Sequence, residues 1–475
     1  MPVFVRVLVI SAGLLLPIFW HSRIQAGDLG SHSYNAWLVH IVDRGDFPQL
    51  YIAPVSTNVL FDWILAGLMP LGVGTAERIA VAMAVLIFFW SAFRFVHVAT
   101  RRKPWFLVPA LAMLTYGWTF HMGLFNFYLA SGLCCAALSI AWPGGRNRIL
   151  IALPVLVVAW LAHALPVIWT ISVLTYLLIL RVLPSLWRRH LSLACALAII
   201  TLRIVLDISF HTTWVSLQVF SVAAVDQVWV FGFKYYILAI LLAILWSFLL
   251  LRITHAISLE AFLEQPALQV ALLTSLGVVV LPTAVQLPGI APITLVSERM
   301  TLLMGVVVCV VLTAAKPLRW QKAALWVVAA VYFSFLYVDT GALDRVEDRM
   351  RDLVGTLPPE QRVISSLYDP GSRAYLLSHN IDRVCIAKCW SYGNYEPSSG
   401  LFRIRVSGPN RIVVAEESDV GAMDAGKYIV KAAEQPLYQI KACGPNLPDD
   451  LCIRSLSAGD VVEHQDLLWT TPKVW

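Results

Sequence analysis

Apolar runs long enough to cross a bilayer recur through the first 340 residues, and nothing else in the chain restricts its fold as strongly. "VFVRVLVISAGLLLPIFW" opens the series, and "ERIAVAMAVLIFFWSAFRFVHVA" is the clearest of those that follow. A backbone in hydrocarbon must satisfy every N–H and C=O internally, which leaves helices or closed barrels. Continuous runs of about 20 apolar residues select helices. The 475 residues are 59% hydrophobic and 13% charged, with a mean hydropathy of +0.73. Soluble domains are about 45–50% apolar and about 25% charged, so an all-α polytopic membrane protein is expected. The net charge of +6 follows from basic loops and gives no indication of nucleic acid binding. The first run lacks a small-residue cleavage site, and Trp20 closes it as an interfacial anchor, so it reads as a span and not as a signal peptide.

Charge sets the expected topology. Basic clusters at Arg101-Arg102-Lys103, Arg146/Arg148, Arg181 to Arg189, Arg252 and Lys316/Arg319/Lys322 should face the cytoplasm. With the N-terminus inside and Asp28 outside, only one of the two apolar segments before Arg101 can span. "NVLFDWILAGLMPLG" is short and carries Asp62 and Pro70, so it is assigned to a juxtamembrane or re-entrant helix within a first outer loop, residues 21–76. Later spans are expected near 105–118, 123–142, 149–163, 165–181, 191–207, 231–252, 268–287, 299–315 and 323–338. That makes about eleven spans in a cytoplasmic (inner) membrane, with the N-terminus cytoplasmic and the C-terminus outside. In the loop, Tyr34, Leu38 and Ile41 recur at helical spacing beside Trp37. They predict an amphipathic helix resting on the outer leaflet.

After Val338 the composition changes. Residues 1–339 read as the transmembrane domain, and 340–475 as a small α+β extracytoplasmic domain. "DRVEDRMRDLVGTLPPEQRVISSLYDP" predicts a polar helix, a Pro-Pro break and a strand. "RIVVAEE", "KYIVKAAE", "LYQIKACG" and "LCIRSLS" look like short strands. "CWSYGNYEPSSGLFRIR" reads as a solvated turn between strands. Cys134, Cys135, Cys195 and Cys309 lie in apolar runs as small hydrophobes. Cys385, Cys389, Cys443 and Cys452 fall in the polar region and are disulfide candidates of an oxidising compartment. A hairpin of "LYQIKACG" and "LCIRSLS" would bring Cys443 to Cys452 and leave Cys385 for Cys389, although four cysteines allow three connectivities.

Charge within a span costs about 2.5–3.5 kcal/mol at a helix centre, so its placement is informative. Asp28, His32, His121, His163, Arg203, Asp207, Lys234, Glu298 and Arg299 all fall at the outer ends of expected spans. Taken singly, each fits a snorkelling anchor or, for Arg203 and Asp207, an i,i+4 pair. As a set they describe a polar chamber opening outward, with several cations near an acid, as an anionic lipid head group requires.

Four features resemble the GT-C superfamily of membrane glycosyltransferases, which includes protein mannosyltransferases and aminoarabinose transferases. An acid follows the first span and leads into "HSYNAWLVHIVDRGDFP". "LFDWILAGLMPLGVGTAERIAVAMAV" is similar to the family's juxtamembrane helix and the span after it. "FHMGLFNFYLASGLCCAALSIAW" is similar to an aromatic Gly-x-x-Asn-Phe segment. A small outer domain follows the last span. The resemblance implies transfer of a sugar from a polyprenyl-phosphate-linked donor in the membrane lipid to an unidentified acceptor on the outer face. It further implies Asp28 as general base, with Arg299, Lys234 and Arg203 as partners of the leaving phosphate. His32, His121 and His163 would orient acceptor or phosphate. Many members carry two adjacent acids where this chain has Asp28-Leu29, and no second-loop acid matches near His121. One carboxylate and scattered histidines suit a hard cation poorly, so support for a divalent metal is weak and no cofactor is assigned. Competing expectations are a flippase or transporter of a lipid-linked or anionic substrate, which would carry inverted repeats and broken helices with charge near the midplane, and a non-catalytic membrane scaffold. Neither transporter feature is visible in the sequence.

Overall fold

Helices form where the apolar runs lie, as an environment without competing water requires. The structure, a computed structural model, describes residues 2–287 and 293–466; residues 467–475 of the expected C-terminal domain lie outside it. Among the described residues, five apolar helices are long enough to cross a membrane. They are Val73–Thr100, Ala164–Val182, Trp187–Ser209, Phe233–Thr254 and Arg319–Gly355. Val3–Phe19, Phe125–Ala141, Arg146–Ala162 and Val296–Leu312 have 17 residues each. At about 1.5 Å per residue these reach about 25 Å, close to the hydrocarbon thickness of about 30 Å. The protein is predominantly helical and built for membrane insertion.

Besides the expected span 268–287, whose helix Pro266–Val280 stops short while Ala284–Gln286 pairs with His211–Thr213 as a strand, two stretches depart from the expected spans. Residues 105–118 do not form one helix: a 3-10 turn at Trp105–Leu107 leads into the eight-residue helix Val108–Thr115, and Trp118–His121 follows separately. The break is held by polar groups. The Tyr116 carbonyl accepts from the Tyr332 hydroxyl, and Gln227 Oε1 accepts from the Thr119 amide at 3.1 Å. Broken backbone at membrane depth is tolerated when other parts of the protein satisfy it in this way. The second departure is Arg319–Gly355, which runs unbroken for 37 residues across the seam expected at 339/340. Leu343, Val346, Met350 and Val354 are buried along its polar-looking half, at helical spacing that continues the apolar stripe.

The chain divides into two compact units. One comprises Ala84–Phe120 and Asn126–Ser334. In it Cys134, Ala137 and Ala141 pack against Ala152, Leu156 and Ala159, small side chains that let neighbouring helices approach closely.

The other unit joins Met1–Met83, His121–Phe125 and Phe335–Trp475, so the first loop and the C-terminal part share one body. Its main sheet has Gln361–Ser365 between Cys389–Ser391 and Leu437–Ala442, parallel to both, with Leu451–Leu456 antiparallel at the edge. Cys385 is bonded to Cys389, and Cys443 to Cys452 across the hairpin. "RIVVAEE" is not a strand: Asn410 Oδ1 accepts from the Ile412 and Val413 amides at 2.8 and 2.9 Å, removing donors a ladder would use. "KYIVKAAE" makes only an isolated bridge, Ile429 to Val461, and then turns where the Glu434 carboxylate takes the Lys431 amide at 2.8 Å. "CWSYGNYEPSSGLFRIR" is not a solvated turn either. It supplies a strand and the short helix Tyr395–Ser399, and Trp390, Ser391, Asn394 and Glu396 are all buried. Its end, Ile404–Val406, pairs antiparallel with Leu50–Ile52 of the first loop.

That pairing overturns the picture of a helix lying on the leaflet. Helix Leu29–Asp43 exists, but eleven of its residues are buried, polar ones included. Each buried polar side chain has a partner, as interior burial demands. Ser31 donates to Glu396 at 3.0 Å, Ser33 donates to Glu77 at 2.7 Å, and Asn394 donates to Asn35 at 2.8 Å. Helix Leu60–Leu68, nine residues long, is about 13 Å in length and too short to cross.

A buried ionic cluster braces these pieces. The Arg383 guanidinium meets Glu347 at 2.5 and 3.0 Å and Glu77 at 3.3 Å, and donates to the Ile24 carbonyl at 2.9 Å. Arg23 adds contacts to Asp344 at 3.1 Å and Glu347 at 3.2 Å. Burial of this kind is tolerated because every charge is answered. The cluster fixes helix Asn380–Cys385, whose start carries the residues described next.

Candidate functional site

Asp28 sits where the chain turns from the first helix into Leu29–Asp43. Its backbone amide donates to the Met122 carbonyl at 3.0 Å, and Gly27 donates to His121 at 2.8 Å. This contact requires Gly123: at φ +80°, a Cβ there would lie 2.3 Å from the Asp28 nitrogen. Gly30 has a similar role, since a Cβ would lie 2.2 Å from the His379 carbonyl oxygen. Two glycines thus bring Asp28 against its neighbours.

The Asp28 side chain, about a quarter exposed, borders a cavity of about 380 Å³. Four carboxylates line it, Asp28, Asp382, Glu417 and Asp424, together with His379 and the rings of Tyr375 and Tyr395. His379 bridges two of the acids. Its Nε2 lies 3.5 Å from Asp28 Oδ1 and its Nδ1 lies 3.1 Å from Asp382 Oδ2. The far oxygen of Asp382 is held by the Ser391 hydroxyl. Burial alone would lower the His379 pKa, but Asp382, Asp28 and Asp424 outweigh it and raise it to about 9. The ring is therefore a cation at neutral pH, with an N–H facing each carboxylate.

One turn further along, His32 Nδ1 lies 2.6 Å from Asp62 Oδ1. Burial again acts to lower its pKa, and Asp62, then Glu396 and Asp28, lift it to about 9. Glu396 is pushed well above the usual carboxylate range, first by burial and then by Asp62 and Asp28, against the opposing pull of His32. Asp28 is thus the outward-facing acid of a group whose other members are tied down.

The remaining expected residues fall into distinct settings. His121 is buried with Nδ1 3.1 Å from the Gln25 carbonyl, a position that pins the outer turn to the residues before Asp28. In the other unit, Arg299 Nη1 lies 3.4 Å from His163 Nε2. His163 caps helix Ala164–Val182, its Nδ1 accepting from the Leu165 amide at 3.1 Å. With Nδ1 so used, the ring hydrogen sits on Nε2, and imidazole and guanidinium face each other as two donors. Beside them runs an apolar groove of about 410 Å³, lined by Leu165, Trp169, Leu202, Leu281, Val296 and Met300 among others. The other two expected cations have local partners: Arg203 pairs with Asp207 at 2.9 Å, and Lys234 lies 5.6 Å from the Tyr235 ring centroid.

Among the described residues no group of three or more His, Cys, Asp or Glu side chains has a geometry that would hold a metal. His379, Asp382 and Glu396 were not singled out from sequence. The i,i+3 spacing in "HNID" was the one local signal, and it is common on helix surfaces. Comparison of the chain with protein-family models, with curated proteins and with solved structures finds no match.

Proposed function

We propose that this chain is a membrane transferase that moves a sugar from a polyprenyl-phosphate carrier to an acceptor at the outer face, with Asp28 as general base. The observation that carries the proposal is the position of Asp28: partly exposed on a cavity of about 380 Å³ and held by an imidazolium that is itself anchored on Asp382. The acceptor hydroxyl oxygen attacks the anomeric carbon as the bond from that carbon to the phosphate oxygen breaks. The electron pair leaves with the phosphate, and the hydroxyl proton passes to Asp28. His379 orients the carboxylate and keeps it aimed into the cavity. Within the other unit, Arg299 and the His163 N–H are two convergent donors whose chemistry suits a phosphate oxygen. The adjoining apolar groove suits the carrier's hydrocarbon chain. About eleven spans, with the C-terminus outside, complete the topology.

The test is transfer from radiolabelled polyprenyl-phosphate sugars in membranes containing the chain. Asp28→Asn is expected to lower transfer by about 10²–10⁴-fold while the thermal unfolding temperature stays within a few degrees of wild type. Full transfer by a folded Asp28→Asn protein removes the base assignment.

A further inference from the structure

A second cavity, about 450 Å³, shares no lining residue with the one beside Asp28. Its wall is aromatic. Trp37 of helix Leu29–Asp43 stacks with Trp390, ring centroids 5.8 Å apart and planes at 29°, while Phe47 meets Trp390 edge-on at 5.3 Å. The rim is charged. Arg44 pairs with Asp46 at 3.4 Å, Arg411 pairs with Glu360 at 3.5 Å, and the Arg411 guanidinium lies 5.6 Å from the Phe47 centroid. Lys388 completes the rim. Trp390 is 5% exposed, yet its indole N–H has no hydrogen-bond partner among the described residues. Buried indole N–H groups ordinarily find an acceptor; this nitrogen is sealed from solvent, so a ligand oxygen would be stabilised there once a small shift of the ring opened it to the cavity.

The ligand's chemistry follows from the wall and the rim. It needs an apolar face to lie on the rings and an edge that both donates and accepts hydrogen bonds. A pyranose has both: its C–H face is apolar, and each hydroxyl is donor and acceptor at once. The two ion pairs present guanidinium donors and carboxylate acceptors side by side. With three basic and two acidic side chains around the opening, the balance favours a neutral sugar or one carrying a single acid. A lipid tail would gain nothing from that rim.

We infer that the Trp37–Trp390 cavity is a carbohydrate-binding subsite that holds a glycan part of the acceptor. Trp37 stands nine residues from Asp28 along one helix, about 13 Å and two and a half turns, so the two face opposite sides of it and a glycan of several units would be needed to run from one to the other. The choice of a carbohydrate over a peptide rests on the transferase proposal; the cavity's geometry does not.

The test is direct binding to the full chain in lipid nanodiscs, which avoids sugar-headed detergents. Malto-, manno-, galacto- and chito-oligosaccharides of three to five units are titrated by calorimetry and by saturation-transfer NMR. At least one is expected to bind with Kd of about 1 mM or tighter, with saturation strongest on ring C–H protons. Trp37→Ala and Arg411→Ala are each expected to weaken that binding about tenfold. Trp390→Phe, which keeps a ring and removes the N–H, is expected to weaken it about threefold to tenfold. Arg411 is exposed, so its variant guards against loss through misfolding. Absence of binding across the panel overturns the inference, as does binding that all three variants leave unchanged. Binding of proline-rich peptides in place of sugars overturns it too. No donor is present, so a chain that transfers no sugar leaves the binding result intact, and a chain that binds none leaves the Asp28 chemistry intact.

Discussion

A histidine held between carboxylates is a gauge of pH. His32 and His379 are both lifted from 6.5 to about 9. Below pH 6.5 the folded and unfolded chains both carry the protons, and the stabilisation is fully present. As pH rises from about 6.5 through 9 the unfolded chain gives up its protons first, and the stabilisation is lost. The unfolding free energy is therefore expected to fall between pH 6.5 and 9.5, on the order of 1–3 kcal/mol for His32, and the unfolding temperature with it. His32→Gln should flatten that slope, and a wild-type curve already flat across the range would contradict the assignment. In the other unit, Arg299→Ala removes one of the two donors facing each other near His163. It is expected to raise the Kd for a polyprenyl phosphate about tenfold or more, read by fluorescence-quench titration with a labelled carrier. Unchanged affinity would detach Arg299 from the phosphate.

Helix Leu29–Asp43 depends on partners as much as on its own propensity. Its buried Ser31, His32, Ser33 and Asn35 would break an isolated apolar core, and each is answered by a residue from another element. Helix Asn380–Cys385 is held in turn by Arg383 between Glu77 and Glu347. Arg383→Ala would leave Glu77 with only the Ser33 hydroxyl and no paired cation, and Glu347 with only Arg23 and Arg351 as cations. A loss of about 3–5 kcal/mol is expected, measured by thermal or denaturant unfolding followed at the C-terminal strands, and a loss below about 1 kcal/mol would show the cluster to be solvated. The apolar helices were legible in sequence because hydrocarbon permits few backbone solutions. Asp28 was legible because an acid at the end of a span has few ordinary uses. His379, Asp382 and Glu396 were not, because what makes them a site is contact with residues some 350 positions earlier. The burial of the polar side of helix Leu29–Asp43 is hidden for the same reason: Ser31 and Asn35 look like a wet face until Glu396 and Asn394 are placed against them.

For the whole molecule, the arrangement of basic loops makes a sidedness prediction. Arg102→Cys should react with a membrane-impermeant maleimide only after the cytoplasmic side is opened, and Ala458→Cys should react in intact cells stripped of their outer layers. Labelling of both from one side would require an odd change in the number of crossings between them. One further consequence belongs to synthesis. Strand Leu50–Ile52 pairs with Ile404–Val406, so this loop takes its partner from a part of the chain made about 350 residues later. At about 5–20 residues per second, that loop waits roughly 20 to 70 s with Ser31 and Asn35 without their partners Glu396 and Asn394. During that interval it is exposed to proteases and chaperones of its compartment, and a chain stopped short of residue 390 never ends the wait.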